Sequence, residues 1–157
     1  MHLTNFTHPI TKGLTQDLTW GTNNKLAPIL YVDDPTATVL GQVVFSQGTT
    51  RPGFAIKTFP YWTSIYSAAP ALPSSLLRNI ARYAGAHIYS DQGDVVYATR
   101  DLLAIHTLSG GSRRVPLPRQ AKTVHDLFAN KQVAQNTSTL HVKLPPNSTT
   151  LYLISHA

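Results

Sequence analysis

Short apolar runs broken by glycine, proline and Asp-Pro turns dominate the chain, and one stretch alone carries a clear helical period. "APILYVDD" (27–34) reads as a strand that Asp-Asp-Pro ends, because a residue before proline is pushed to extended geometry and the ring then turns the chain. "TVLGQVVFS" (38–46), "GFAIKTF" (53–59) and "YWTSIYSAA" (61–69) read as three more strands, with "GTTRPG" as a loop. "LPSSLLRNIARYAG" predicts a helix over Ser74–Ala84, with Pro73 suited to the first turn and Gly85 to the stop. Leu76, Leu77, Ile80 and Ala84 share one face, while Arg78, Asn79 and Arg82 lie on the other. Burying its large aliphatics at ~1.5–3 kcal/mol each requires a sheet for them to rest on.

Beyond Gly85 the pattern turns to strands. "AHIYS" reads as a short strand, "DQGD" as a polar turn, and "DVVYATRDLLAIHTL" as two strands broken near Thr99–Asp101. "SGGSRR" reads as a hairpin-like turn. "AKTVHDLFANKQVAQ" suits either a short helix or a strand, a turn and a second strand. "STLHVKLPPNSTTLYLIS" is the strongest hairpin signal, its strands alternating around Pro-Pro-Asn with Leu140, Val142 and Leu144 on one face and His141 and Lys143 on the other. The expected fold is therefore α+β and β-dominated: one main helix packed on a mixed sheet, followed by a small antiparallel β-sandwich-like unit. The expected division is 1–90, containing the helix, and 91–157, packed tightly on the first.

Composition narrows the chemistry. The chain has 157 residues and no cysteine, which removes disulfides and thiolate catalysis. Its seven acidic residues are all aspartate, against thirteen lysines and arginines, for a net charge of +6. The cations are scattered, and Arg113-Arg114 is their one adjacent pair, so no nucleic-acid partner is expected. No apolar run approaches a membrane span and the start lacks a signal-peptide pattern, so the expectation is a cytoplasmic chain with no membrane partner. The sequons at Asn5, Asn136 and Asn147 read as ordinary loop sequence.

Catalytic motifs are sparse. No G-x-S-x-G elbow and no zinc-binding histidine pair on a helix occurs, and no glycine-rich phosphate loop leads into a helix. His87, His106, His125 and His141 stand in four separate segments, so no metal or other cofactor is expected. Asp33, Asp34, Asp91 and Asp94 are the candidate carboxyls for hydrolysis, which needs a pair ~5 Å or ~6.5–9.5 Å apart. None is favoured, because Asp-Pro and Asp-Gln-Gly-Asp are turn formers. Sugars stack their C–H faces on flat aromatic rings, which makes Trp62, Tyr61 and Trp20 candidates for carbohydrate contact. Strand alternation through "FPYWTSIYS" puts Phe59, Tyr61 and Thr63 on one face and Trp62, Ser64 and Tyr66 on the other, one of them in the core.

Two stretches carry a resemblance. "DLFANKQVAQNTSTLHVKLPPNSTTLYLI" resembles the closing strands of the C-terminal β-sandwich of many glycoside hydrolases. "HPITKGL", "APILYVDDPTATVLGQ" and "LPSSLLRNIARYAGAHIY" resemble the latter half of the glutamine-amidotransferase-like trimerisation domain of β-galactosidase-like glycosidases. The resemblance implies that 1–90 is a partial unit of that trimerisation type and 91–157 the C-terminal sandwich. It implies no catalytic residue, since the family's two glutamates map to no position in a chain without glutamate. The expected role is a non-catalytic accessory or oligomerisation module in contact with carbohydrate, forming a homo-oligomer or joining a glycosidase catalytic domain. The alternatives are a small glycosidase using paired aspartates and a stand-alone sugar-binding protein.

Overall fold

The computed structural model describes residues 1–24 and 26–156. The chain divides into two compact units, Met1–Ala86 and His87–Ala157.

The first unit is a four-stranded antiparallel sheet in the order β1 (His2–Leu3), β2 (Thr38–Val44), β3 (Thr50–Thr58) and β4 (Thr63–Ser67), followed by one helix, α1 (Ser74–Tyr83). Alternation sorts the faces. Phe54, Ile56 and Ile65 turn to a core that also holds Leu40, Ile10 and Leu76 of α1. Ala55, Lys57, Ser64 and Tyr66 take the other face, with Ala55 opposite Tyr66 and Lys57 opposite Ser64. Asn79 secures α1 to the N-terminal segment by donating to the carbonyls of Ile10 and Lys12. Leu77, expected on the buried stripe with Leu76, lies half-exposed at its margin.

In the second unit the order is β5 (Val95–Ala98), β6 (Leu102–Thr107), β9 (Ser148–Ser155), β7 (Gly111–Asp126) and β8 (Lys131–Leu144), again antiparallel. The β7–β8 hairpin is bent. Its register jumps from Pro116↔Thr139 to Ala121↔Thr137, and Asn136 sits at φ 46°. The fold-over gathers Val115, Leu117 and Leu140 of the hairpin onto Leu103 and Ile105 of β6 and Tyr152 of β9, in one sandwich-like core.

Three expectations are overturned. The sheet is not mixed and the helix is a minor element: both sheets are antiparallel throughout, and the one helix among the described residues is ten residues long and reaches the first core through Leu76. A parallel pair needs a long crossover between strands, and α1 follows the last strand of its unit, so no later strand of that sheet exists to be brought parallel. The Pro-Pro-Asn and Ser-Gly-Gly-Ser turns close no hairpins, because β9 inserts between β6 and β7 instead of pairing with β8. The two turns meet instead, with the Asn147 amide donating to the Leu108 carbonyl. Finally, 27–34 and 86–90 are not strands. The first runs over the sheet, fixed by Val32 N–H to the Pro52 carbonyl. The second is held by side chains, among them His87 to the Pro116 carbonyl at 2.8 Å and Ser90 to Asp94.

Candidate functional site

The outward face of the first sheet carries a recess of about 140 Å³. Val32, Asp34 and Ala37 of the overlying segment line one side, and Lys57, Phe59 and Tyr66 of the strands line the other. The Tyr66 hydroxyl donates to the Leu30 carbonyl at 2.8 Å, fastening the segment over the strands. Asp34 receives the ammonium of Lys57, and its Oδ1 accepts the Thr36 N–H at 2.8 Å and the Thr36 hydroxyl at 2.6 Å. These bonds, that from Lys57 first, hold its carboxyl down at about 2. Lys57 Nζ also lies 5.2 Å from the Phe59 ring centroid.

Beside the recess, Pro60 and Tyr61 form the turn that joins β3 to β4, closed by the Phe59 N–H on the Trp62 carbonyl at 2.8 Å. The turn sets Phe59 and Trp62 side by side, with centroids 4.2 Å apart and planes at 11°. Strand alternation placed these two rings on opposite faces; it fails because β3 has ended at Thr58 and a two-residue turn pairs its first and last positions. Trp62 remains 59% exposed and Tyr61 98%. Trp20 lies elsewhere. At 7% exposure it belongs to the core, edge-on to Phe54 at 5.5 Å, with its indole N–H on Ser67. Its rings face neighbours, so it offers no platform to a sugar. Phe59, Lys57 and Tyr66 complete the site; of these, proline at the second position of "FPYW" signalled Phe59.

The other candidate carboxyls sit differently. Asp33 is exposed beside Asp34, and Asp91 is exposed in the turn before β5. Asp94 is buried against Arg113, whose Nε and Nη2 donate to its two oxygens at 2.8 and 2.9 Å. That bidentate bond is the first cause of a carboxyl held at about 2. A glycosidase acid needs the opposite, a carboxyl kept protonated by an apolar pocket. His106 bonds Thr149 and His87 meets Tyr89 edge-on. No group of three or more metal-ligating side chains occurs among the described residues, and no helix there is long and apolar enough to cross a membrane.

No protein-family model matches the chain, and no curated protein matches it. Among solved structures it is similar to the β-galactosidase from Bacillus circulans sp. alkalophilus, with a TM-score of 0.52 and 16% identity over 76% of this chain. The match covers 18% of the enzyme's chain, so this protein spans less than a fifth of that length. The likeness is one of fold alone.

Proposed function

We propose that the chain is a non-catalytic module of the β-galactosidase type, one that completes or assembles a glycoside hydrolase instead of cutting sugar. The observation that carries this reading is the state of Asp34 and Asp94. Each is committed to a cation and each is held ionised at about 2, which suits anchoring and opposes proton donation. The fold likeness supports the glycosidase context; in this proposal the helix-bearing unit answers to the latter half of the trimerisation domain and the second unit to the closing sandwich. Self-association draws support from Val95, Tyr97, Leu102 and Leu153, exposed apolar side chains along the outward face of β5, β6 and β9.

The test is a panel of chromogenic aryl glycosides with light scattering on the same preparation. The expected result is no turnover above buffer and a mass above that of one chain. Enzyme-like hydrolysis that Asp34→Asn abolishes would overturn the reading in favour of a small glycosidase.

The Phe59–Trp62 stack favours a second reading, a stand-alone sugar-binding protein. One face of Trp62 is covered by Phe59, which lines the recess, while the ring stays 59% exposed and leaves its other face open to a sugar. Galactoside binding in calorimetry, lost in Trp62→Ala and accompanied by a monomeric mass, would select it.

A further inference from the structure

The folded-over hairpin of the second unit encloses an open groove of about 710 Å³, within the ~300–1,000 Å³ range of small-ligand sites. Both ends of β8 line it, 131–133 from one and 141–144 from the other. On a straight strand these ends would stand roughly 35 Å apart. The bend at Asn136 therefore creates the groove, together with the five steps of β7 that match two steps of β8. Thr150 and Tyr152 of β9 line it as well.

Cations outnumber acids in its lining, two lysines to one aspartate. Lys131, His141 and Lys143 line the groove, and no carboxylate stands within ion-pair distance of any of them among the described residues. The one acid, Asp126, uses Oδ1 to accept the N–H groups of Phe128 and Ala129 at 3.0 and 2.9 Å, a turn-forming role. Phe128, held by that turn, is 66% exposed and also lines the groove.

We propose that this groove binds an acidic oligosaccharide, one bearing carboxylate or sulfate groups. Lys131, Lys143 and His141 would meet the anionic groups, Gln132 the hydroxyls, and the Phe128 ring a C–H face of the sugar. A nucleic-acid strand needs a basic track running beyond such a groove. Arg113 adds nothing to such a track, being turned inward onto Asp94, and Arg114, exposed across the strands from His141, adds a single cation. The proposal does not rest on the accessory-module reading, since it concerns a different face of the chain and holds whether or not the protein assembles with an enzyme.

The test is calorimetry of the full chain with trigalacturonate and a heparin-derived tetrasaccharide, against neutral galactotriose. At least one acidic probe is expected to bind, more weakly as salt rises, and galactotriose at least about tenfold more weakly. The exposed double change Lys131→Gln/Lys143→Gln should lose at least about tenfold for the acidic probe, Phe128→Ala should lose less, and Lys122→Gln, outside the groove, should lose nothing. Circular dichroism should be unchanged in all three. Failure of both acidic probes to bind, equal binding of acidic and neutral sugars, or full affinity in the double variant would overturn the proposal. Tighter binding of a single-stranded deoxyoligonucleotide, lost in the same double variant, would also overturn it and assign the groove to phosphate.

Discussion

Arg113 of β7 clamps Asp94, the residue leading into β5, through two parallel hydrogen bonds of 2.8 and 2.9 Å with both side chains almost wholly buried. The guanidinium does more. Nη1 donates to the Gly110 carbonyl at 2.7 Å, and Nη2 to the hydroxyls of Thr107 and Ser109 at 2.8 and 3.1 Å. One side chain thus joins the end of β6, the turn after it and the entry to β5. Removing one member leaves the other charge buried without its partner, the costly outcome for such pairs. Arg113→Met or Asp94→Leu should each lower the thermal midpoint of the second unit by more than about 10 °C. The double change should be milder than either, because no charge is then stranded. Melting the three variants by circular dichroism checks the order.

Acid should weaken both units in one window. Asp34 and Asp94 titrate at about 2 in the folded chain, below the ordinary 3.8. The unfolded chain therefore takes up protons first, and the stability these groups supply is fully present above the ordinary value. It drains as pH falls from about 4 toward 2. Tyr152 works in the other direction. Burial, then Asp126, raises its phenol to about 12, so its neutral form is stabilised and that contribution is lost as pH climbs from about 10 to 12. Thermal midpoints across the pH range should show both limbs. Asp94→Asn should flatten the acid limb and Tyr152→Phe the alkaline one.

The two tryptophans should report separately. Trp20 is buried and Trp62 is largely open. Trp62→Phe should leave a blue-shifted emission that acrylamide quenches poorly, and Trp20→Phe a red-shifted emission that it quenches readily. Galactoside binding at the Phe59–Trp62 platform should change emission in the second variant and leave the first silent. Equal quenching of the two would contradict the burial described.

Much of the strand content was legible because alternation fixes which face a side chain takes. Leu140 and Leu144 are buried while His141 and Lys143 are exposed, as period two requires. Alternation does not fix partners. β9 satisfies the same pattern beside β6 and β7 as it would beside β8, so the Pro-Pro-Asn signal gave a turn and the wrong neighbour. Segment 27–34 misled for a related reason. Its apolar residues cover a sheet face through isolated bonds, Tyr66 to the Leu30 carbonyl among them, without joining a ladder. The recess and the groove both arise where distant segments fold over strands, which local periodicity does not record. Of the candidate site, the run of aromatics at 59–62 stood out in the sequence but the Phe59–Trp62 stack did not, since alternation separates the two rings, and the Asp34–Lys57 bond and the Asp94–Arg113 clamp join residues 23 and 19 positions apart.

Gly110 tests whether the meeting of the two turns is a true close contact. Its φ is 64°, and a Cβ built there would lie 2.5 Å from the Pro146 nitrogen and 2.8 Å from the Pro145 carbonyl carbon. Both are backbone atoms, so no side chain can rotate out of the way. Gly93 supplies the control. Its φ is 79°, also left-handed, but a Cβ there meets nothing within 4 Å. Alanine at Gly93 should cost only the left-handed penalty of ~1–2 kcal/mol. Alanine at Gly110 adds a collision that must push apart the turns joined by Asn147 and Leu108 and shift the carbonyl that Arg113 grips. Its loss should exceed ~3 kcal/mol or leave the second unit unfolded. Urea unfolding of both variants by circular dichroism separates the two costs, and equal losses would mean that the turns stand further apart than described.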